Sequence, residues 1–200
     1  SALAFIKGGD AARKAADAIL ASAPKNATLT LKGATLAAPI RPFTILCSGS
    51  NYKDHNAEKA NTPISGKEPE FFVKTADCVV GPDEPIMFDL RFSKKLDCES
   101  ELAIVIGTKA QYVSEDDALN YVAGYCVAND VSERAFQFQS SQWDKGKGCD
   151  SFGPLGPWLV TRDEIPDPQN LAMTLDVNGQ RRQTGHTGQM IFGIAEIVAY

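Results

Sequence analysis

Three carboxylates occupy alternate positions in one segment of the sequence. Asp97, Glu99 and Glu101 are separated by single residues, and an apolar run, residues 102–106, follows directly. Because side chains alternate between the two faces of a β-strand, all three carboxylates are expected on one face. Like charges at the start of an apolar strand repel one another and lose hydration, so a cation is expected to offset them. A hard divalent ion with oxygen ligands, Mg²⁺ or Mn²⁺, meets that need.

A solvated edge strand whose acids oppose aggregation is the other interpretation of this pattern. A further carboxylate, Asp130, follows Asn129 directly after the apolar strand predicted over residues 122–128. A residue at the end of a strand could complete a metal site, although Asn and Asp are also common in turns. The residue types alone therefore leave both a metal site and a solvated acidic strand open.

The candidate general base is His55, one of only two histidines in the sequence. His55 and Glu58 are three residues apart and share a face if one helical turn forms there. A carboxylate beside an imidazole orients the ring and raises its basicity, which suits a base that deprotonates water. The alternative is an exposed pair of small effect. The other histidine, His186, lies among Thr and Gly residues and is interpreted as a loop residue.

Composition is that of an ordinary globular protein. Of the 200 residues 44% are hydrophobic and 22% are charged, and the net charge is −5. A mildly acidic chain without a basic block argues against nucleic acid or an anionic membrane as a partner. No apolar run is long enough to cross a bilayer. The five cysteines are widely spaced and form no CxxC motif, which predicts reduced thiols and a cytoplasmic location.

Hydrophobic periodicity predicts many short strands and few helices, which is typical of an α+β, β-rich domain. We predict strands over residues 28–31, 34–37, 43–48, 70–74, 96–107, 122–128, 158–161 and 171–177, with a primed hairpin turn at Asn178-Gly179. We predict helices over residues 11–21, 114–121 and 190–200.

Pro39 and Pro42 mark a boundary between two parts of the chain. We predict a small N-terminal subdomain over residues 1–40 and a catalytic domain over residues 41–200. The predicted C-terminal helix is apolar and has no following segment to pack on, so we expect the catalytic domain to continue beyond Tyr200. The polar segment 53–69 is predicted to be exposed and mobile.

Six segments, in order and at compatible spacing, resemble the fumarylacetoacetate hydrolase family in its smaller, bacterial-type branch. They are residues 49–58, 70–74, 96–107, 122–134, 146–158 and 177–183. The resemblance implies a mixed β-sandwich/roll core with short helices, a small-molecule keto acid substrate and a homodimer.

The resemblance also implies roles for nine residues. The implied metal ligands are Glu99, Glu101 and Asp130; the catalytic residues are His55, Glu58 and Lys147; the substrate-binding residues are Arg134, Gln137 and Lys74. In the family pattern His55 and Glu58 activate water, and Lys147 is the cation near the reacting carbonyl. Lys145 is a neighbouring candidate, but Gly146-Lys147-Gly148 fits the family motif better.

The function implied by the resemblance is metal-dependent hydrolysis of a carbon–carbon bond in a small 2,4-diketo acid of the acylpyruvate type. The products would be pyruvate, or a related 2-keto acid, and a carboxylic acid. A 2-keto acid decarboxylase, isomerase or lyase that uses the same metal–enolate chemistry is the alternative. A non-catalytic metal-binding or scaffolding domain is a different class, and His55, Glu58 and Lys147 argue against it because a scaffold needs none of them.

Overall fold

The computed structural model describes residues 2–27, 29–58 and 67–200, and short helices are interspersed among the strands. The helices are α1 (Ala2–Lys7), α2 (Gly9–Ser22), α3 (Lys53–Glu58), α4 (Glu115–Ala118), α5 (Arg134–Gln137), α6 (Asp144–Lys147) and α7 (Ile194–Ala199). The strands are β1 (Ile45–Gly49), β2 (Glu70–Lys74), β3 (Val79–Val80), β4 (Leu96–Asp97), β5 (Ser100–Ile106), β6 (Val122–Asn129), β7 (Ser132–Glu133), β8 (Gly153–Thr161), β9 (Ala172–Val177) and β10 (Gln180–His186). This mixed content confirms the predicted α+β class.

The core is built around a four-stranded sheet in the order β3-β8-β6-β5. β6 is antiparallel to both neighbours, whereas β3 joins β8 in parallel. Val79, Cys126 and Leu155 come from three of these strands and form one buried apolar cluster. Gly124 in β6 permits the close approach of β8, because a Cβ atom there would overlap the carbonyl oxygen of Val160.

The predicted acidic strand over residues 96–107 is wrong as one continuous element. β4 pairs with β7, and β5 pairs with β6, so Cys98 and Glu99 lie between two different ladders. The break is held by hydrogen bonds in place of strand pairing. The Glu99 amide donates to Asn129 Oδ1 at 3.1 Å, and the Asp130 amide donates to the Glu99 carbonyl at 2.9 Å. As a consequence, the backbones of Glu99 and Asp130 lie side by side.

The two strands predicted near the N-terminus, over residues 28–31 and 34–37, are also wrong within the residues that the structure describes. Residues 29–37 contain no strand, and Leu31–Gly33 forms a 3₁₀ turn; Thr28 lies outside the described residues. Leu29 and Leu31 are largely exposed, so neither face of a strand would be buried. The predicted helix 11–21 is confirmed as α2, with Asp10 in its first turn and Gly8 at the N-cap position.

The C-terminal helix is shorter than predicted because the residues before it bind another segment. Tyr52 and Met190 form an isolated β-bridge, and the Ile191 amide donates to the Asn51 carbonyl at 2.8 Å. The helix α7 therefore begins only at Ile194. The helix predicted over residues 114–121 is formed as α4 and a 3₁₀ turn, Leu119–Tyr121, that follows it directly.

The predicted hairpin turn at Asn178-Gly179 is confirmed, since both residues have positive φ, 52° and 75°. It joins β9 to β10. The Gln183 side chain then ties β10 to β5, because its amide oxygen accepts from the Ser100 amide and its amide nitrogen donates to the Ser100 carbonyl, each at 2.8 Å. The hairpin is thereby placed beside the acidic segment.

Within the described ranges, no helix combines the length and the apolarity needed to cross a membrane. All five cysteines are free thiols, and Cys78 and Cys126 are buried.

Candidate active site

A cavity of about 960 Å³ lies between the acidic segment, α3, α5, α6 and β10. Eight of the nine predicted site residues line it, and the ninth, Lys74, lies behind its wall. The lining residues from this set are His55, Glu58, Glu99, Glu101, Asp130, Arg134, Gln137 and Lys147. The structure thus brings together residues that are up to 92 positions apart in the sequence, counted from His55 to Lys147.

Lys147 is the electrostatic centre of the site. Its ammonium group donates to Glu99 Oε2 at 2.6 Å and to Asp130 Oδ2 at 2.7 Å, and its side chain is only 3% exposed. The ammonium also lies 5.1 Å from the centroid of the Phe72 ring and makes a cation–π contact with it. The short helix α6 presents Lys147, whose amide donates to the Trp143 carbonyl at 3.1 Å.

Arg134 fixes the outer side of the carboxylate cluster. Its guanidinium donates to Asp97 Oδ2 at 2.7 and 2.9 Å and to Glu99 Oε1 at 2.6 Å. The remaining Nη1 group donates to Gln137 Oε1 at 2.8 Å. α5 begins at Arg134 because the Glu133 carboxylate caps it by accepting from the Ala135 amide. Arg134 and Gln137 therefore reach the cavity already oriented by protein contacts.

The pKa values of two glutamates of the segment, Glu99 and Glu101, are shifted in opposite directions. Burial alone would raise the pKa of Glu99, but the charges and hydrogen bonds of Lys147 and Arg134 outweigh it and lower the pKa to about 2. Burial and the negative charges of Glu99 and Asp130 raise the pKa of Glu101 to about 8, against the opposing charge of Lys147. The ionised form of Glu101 is therefore disfavoured in this structure, and a further positive charge nearby would stabilise it.

The donor set fits a hard divalent cation in its chemistry. Glu99, Glu101 and Asp130 supply carboxylate oxygens only, which are the ligands that Mg²⁺ and Mn²⁺ prefer. In the described parts of the chain, however, no three His, Cys, Asp or Glu side chains have donor atoms gathered around one point. The reason is visible in the geometry, because the Lys147 ammonium lies between two of the three carboxylates. The predicted metal ligands stay a prediction that this charge pattern supports.

The predicted helical turn around His55 is confirmed as α3, and both His55 and Glu58 line the cavity. Asn51 anchors the residues that lead into this helix. Its side chain donates to the Phe192 carbonyl at 2.9 Å and accepts from the Phe192 amide at 2.8 Å. Ser50, with a φ of 51°, turns the chain from β1 toward α3. The predicted mobile segment 53–69 is helical over 53–58, and its residues 59–66 lie outside the described ones.

Sequence reasoning missed two groups of cavity residues. The first comes from β9, β10 and the residues after them: Met173, Arg182, Gln183, Thr184, Gly185, His186 and Gln189. The turn at Asn178-Gly179 predicts a hairpin, but it does not predict that β10 of this hairpin contacts β5 beside the cavity. The second group is Ser48 and Tyr52, whose hydroxyl groups are buried without a hydrogen-bond partner in the described residues. Burial and the nearby charge of Glu101 raise the pKa of Tyr52.

The fold and the cavity together define a class of protein, a mixed α/β domain with a buried carboxylate–lysine cluster suited to a divalent cation. The chain belongs to the fumarylacetoacetate hydrolase family, because the model of the "Fumarylacetoacetate (FAA) hydrolase C-terminal" domain matches residues 44–200. This match confirms the resemblance inferred from the six sequence segments. The division into residues 1–40 and 41–200 stays a prediction.

The chain is also similar in sequence to bacterial proteins that are named as hydrolases. A protein of Burkholderia cenocepacia, provisionally named as a hydrolase, is 54% identical over 153 residues, which are 76% of this chain and 53% of that protein. The chain thus spans about half the length of the curated relatives it matches.

Two solved structures carry more specific names. Maleylpyruvate hydrolase from Sphingobium sp. SYK-6, in complex with manganese(II) and pyruvate, has a TM-score of 0.83 and 28% identity, and covers 99% of this chain and 67% of its own. A 2-hydroxyhepta-2,4-diene-1,7-dioate isomerase from Mycobacterium marinum has a TM-score of 0.71 and 36% identity, covering 82% and 58%. The named members therefore include both a hydrolase and an isomerase.

Proposed function

We propose that this chain carries the active site of a divalent-metal hydrolase that cleaves a carbon–carbon bond in an acylpyruvate-type 2,4-diketo acid. The observation that carries the proposal is the convergence of Glu99, Asp130 and Lys147 in one cavity with His55 and Glu58. The manganese and pyruvate bound by the Sphingobium enzyme, which has the same fold, support this class of substrate.

Mg²⁺ or Mn²⁺ would be held by Glu99, Glu101 and Asp130. When bound, such an ion supplies Lewis acidity toward the 2-keto acid end of the substrate. Lys147 and Arg134 are paired with these carboxylates, so a bound ion that takes over the carboxylate charge would leave both cations available for the anionic substrate. Gln137, which accepts from Arg134 and lines the cavity, is assigned to substrate binding together with Arg134.

The hydrolytic step is assigned to the residues of α3 and α6. His55, oriented by Glu58, takes a proton from water, and the water oxygen bonds to the distal carbonyl carbon of the substrate. Lys147 donates a hydrogen bond to the oxygen of that carbonyl as negative charge develops. The bond to the adjacent carbon then breaks, and its electron pair stays on the keto acid fragment. That fragment accepts the proton from His55 and leaves as pyruvate, while the other fragment leaves as a carboxylic acid.

A pyruvate-release screen of the full-length protein tests the proposal. The panel should contain acylpyruvates and 3-deoxy-2,4-diketo sugar acids, each assayed with Mn²⁺ and with a chelator. We expect equimolar pyruvate and carboxylic acid from at least one compound, and no release with the chelator. Release at an unchanged rate with the chelator would contradict the metal requirement, and no release from any compound would contradict the substrate class.

A second candidate is isomerisation or decarboxylation of a related 2-keto acid at the same site. The isomerase name of the Mycobacterium marinum structure, which is 36% identical to this chain, favours keeping it. Product analysis separates the candidates, because decarboxylation releases carbon dioxide and isomerisation leaves the mass of the substrate unchanged. Hydrolysis adds one water and gives two acids.

We also propose a cytoplasmic homodimer that acts on a small molecule, without a nucleic acid or membrane partner. The family resemblance and the net charge of −5 support this proposal. Sedimentation equilibrium of the full-length protein measures the assembly, and a mass equal to one chain would contradict the dimer.

A further inference from the structure

Lys74 is a buried ammonium group with no hydrogen left for a ligand. A lysine ammonium has three N–H donors. They go to Asp130 Oδ1 at 2.7 Å, to the Val131 carbonyl at 3.2 Å and to the Lys147 carbonyl. The side chain is 4% exposed and does not line the cavity. All three N–H groups of Lys74 therefore donate to protein acceptors. None is left for the predicted contact with substrate.

The acceptors of Lys74 belong to two elements of the site. Asp130 and Val131 follow the end of β6, and Lys147 is the last residue of α6. The last carbonyls of a helix have no partner within the helix, so a cation there both satisfies a carbonyl and interacts favourably with the helix dipole. Lys74, at the end of β2, thus joins three separate parts of the chain.

These contacts form a closed ring. Lys74 binds Asp130 through Oδ1, and the Lys147 ammonium binds the same carboxylate through Oδ2. Lys74 then returns to Lys147 through its main-chain carbonyl. With Oδ1 occupied, the Asp130 carboxylate is fixed with Oδ2 toward Glu99, which shares the Lys147 ammonium.

We propose that Lys74 is a positioning residue: it sets the orientation of the Asp130 carboxylate and the place of Lys147 at the end of α6. The inference rests on the proposed function, because the Mn²⁺ site and the turnover that its test measures both belong to that function. Asp130 Oδ2, which the Lys147 ammonium binds here, is thereby turned toward the proposed metal position, and the main chain of Lys147 is fixed at the end of α6. Lys74 itself touches neither the metal ion nor the substrate.

The test compares full-length variants by Mn²⁺ binding, measured as free Mn²⁺ by electron paramagnetic resonance, and by steady-state kinetics. Lys74→Met keeps the length of the side chain and removes the donors. Because partners of metal ligands contribute about 10- to 100-fold to affinity or activity, we expect the Mn²⁺ dissociation constant to rise and kcat to fall by about that factor. KM should change by less than about threefold, since Lys74 makes no contact with substrate.

Lys145→Met is the matched control, because Lys145 is exposed, lies on the same short helix as Lys147 and does not line the cavity. It should leave Mn²⁺ affinity and kcat within about twofold of the wild type. Ethylammonium chloride added to Lys74→Ala supplies the missing donors in a separate molecule. We expect saturable recovery of Mn²⁺ affinity in Lys74→Ala and no effect on Lys145→Met.

Each other outcome overturns the positioning role. Tighter Mn²⁺ binding by Lys74→Met would mean that Lys74 acts only as a like charge beside the metal. A raised KM with unchanged Mn²⁺ affinity would restore the direct substrate contact. Failure of both Lys74 variants to fold, while Lys145→Met folds, would make Lys74 a determinant of folding alone. A wild type that does not bind Mn²⁺ would instead contradict the proposed function itself.

Discussion

At the scale of single residues, the site is a problem of charge balance in a buried place. Asp130 and Lys147 are 8% and 3% exposed, so their charges are stable only because each is paired. Four acidic side chains, Asp97, Glu99, Glu101 and Asp130, face three basic ones, Lys74, Arg134 and Lys147. One carboxyl group is left over, and Glu101, with its pKa raised to about 8, is that group. A divalent ion would reverse the deficit and leave the site ready for an anionic substrate.

Glu99→Gln should abolish metal-dependent turnover. Glutamine keeps the shape of the side chain but removes the negative charge shared by Lys147 and Arg134. Because the metal affinity and the placement of Lys147 depend on that charge, we expect turnover to fall by roughly 1,000-fold and Mn²⁺ affinity to fall with it. Isothermal titration with Mn²⁺ measures the second effect. Glu164→Gln, an exposed change outside the cavity, is the control, and equal effects of both variants would contradict the assignment.

His55→Ala should separate metal binding from hydrolysis. His55 lines the cavity on α3. The carboxylates come from other elements: Glu101 lies in β5, Glu99 directly before β5, and Asp130 directly after β6. We expect kcat for pyruvate release to fall by about 100- to 10,000-fold with Mn²⁺ affinity unchanged. Lys53→Ala, an exposed change on the same helix, should retain activity. Wild-type turnover by His55→Ala would show that another group is the base.

At the scale of elements, the break between β4 and β5 decides the geometry of the site. Asp97, Glu99 and Glu101 all line the cavity, but Cys98 between them lines it too, so strand alternation alone does not account for the arrangement. Alternation does not predict the break at Glu99, because β4 pairs with β7 and that pairing partner is distant in sequence. The positions of Lys74 and of β10 are missed for the same reason. The local sequence pattern predicts the strands, helices and motifs. Contacts between elements that are distant in sequence determine which side chains meet, and the local pattern does not contain them.

The absence of the predicted strands from residues 29–37 shows the limit of alternation in another way. Thr28 to Leu31 alternates like a strand, yet Leu29 and Leu31 are exposed and meet no sheet. A strand is stabilised by the neighbours that it pairs with and packs on. An alternating pattern without such a partner therefore does not form a strand. The family resemblance, by contrast, placed eight residues in one cavity because it carries tertiary information that periodicity lacks.

Gly124→Ala tests the packing of β6 against β8. The new methyl group would overlap the Val160 carbonyl oxygen, so the two strands would have to separate. We expect the free energy of unfolding to fall by about 1–3 kcal/mol or more, measured by urea denaturation. Gly33→Ala, where the nearest atom to a new Cβ lies at 3.7 Å, is the control and should change stability little. Equal stability of the two variants would contradict the close approach.

At the scale of the whole molecule, the fold shifts the pKa of its thiols upward. Burial raises the pKa of all five cysteines, to about 12 for Cys47 and about 11 for Cys126. Only the thiolate reacts, and two pKa units lower its fraction about 100-fold. At pH 8 we therefore expect slow reaction of native Cys47 and Cys126 with Ellman's reagent, and rapid reaction of five thiols in urea. Fast labelling of either residue in the native protein, located by peptide mapping, would contradict this.

The central claim is that Glu99, Glu101 and Asp130 grip one divalent ion in the position that the Lys147 ammonium takes between two of them. Anomalous diffraction at the manganese edge, from crystals of the full-length protein grown with Mn²⁺, measures this most directly. We predict one strong anomalous peak bound by all three carboxylates, with Lys147 moved toward the cavity. Full data with no peak there, and with Lys147 still joining Glu99 to Asp130, would contradict the account.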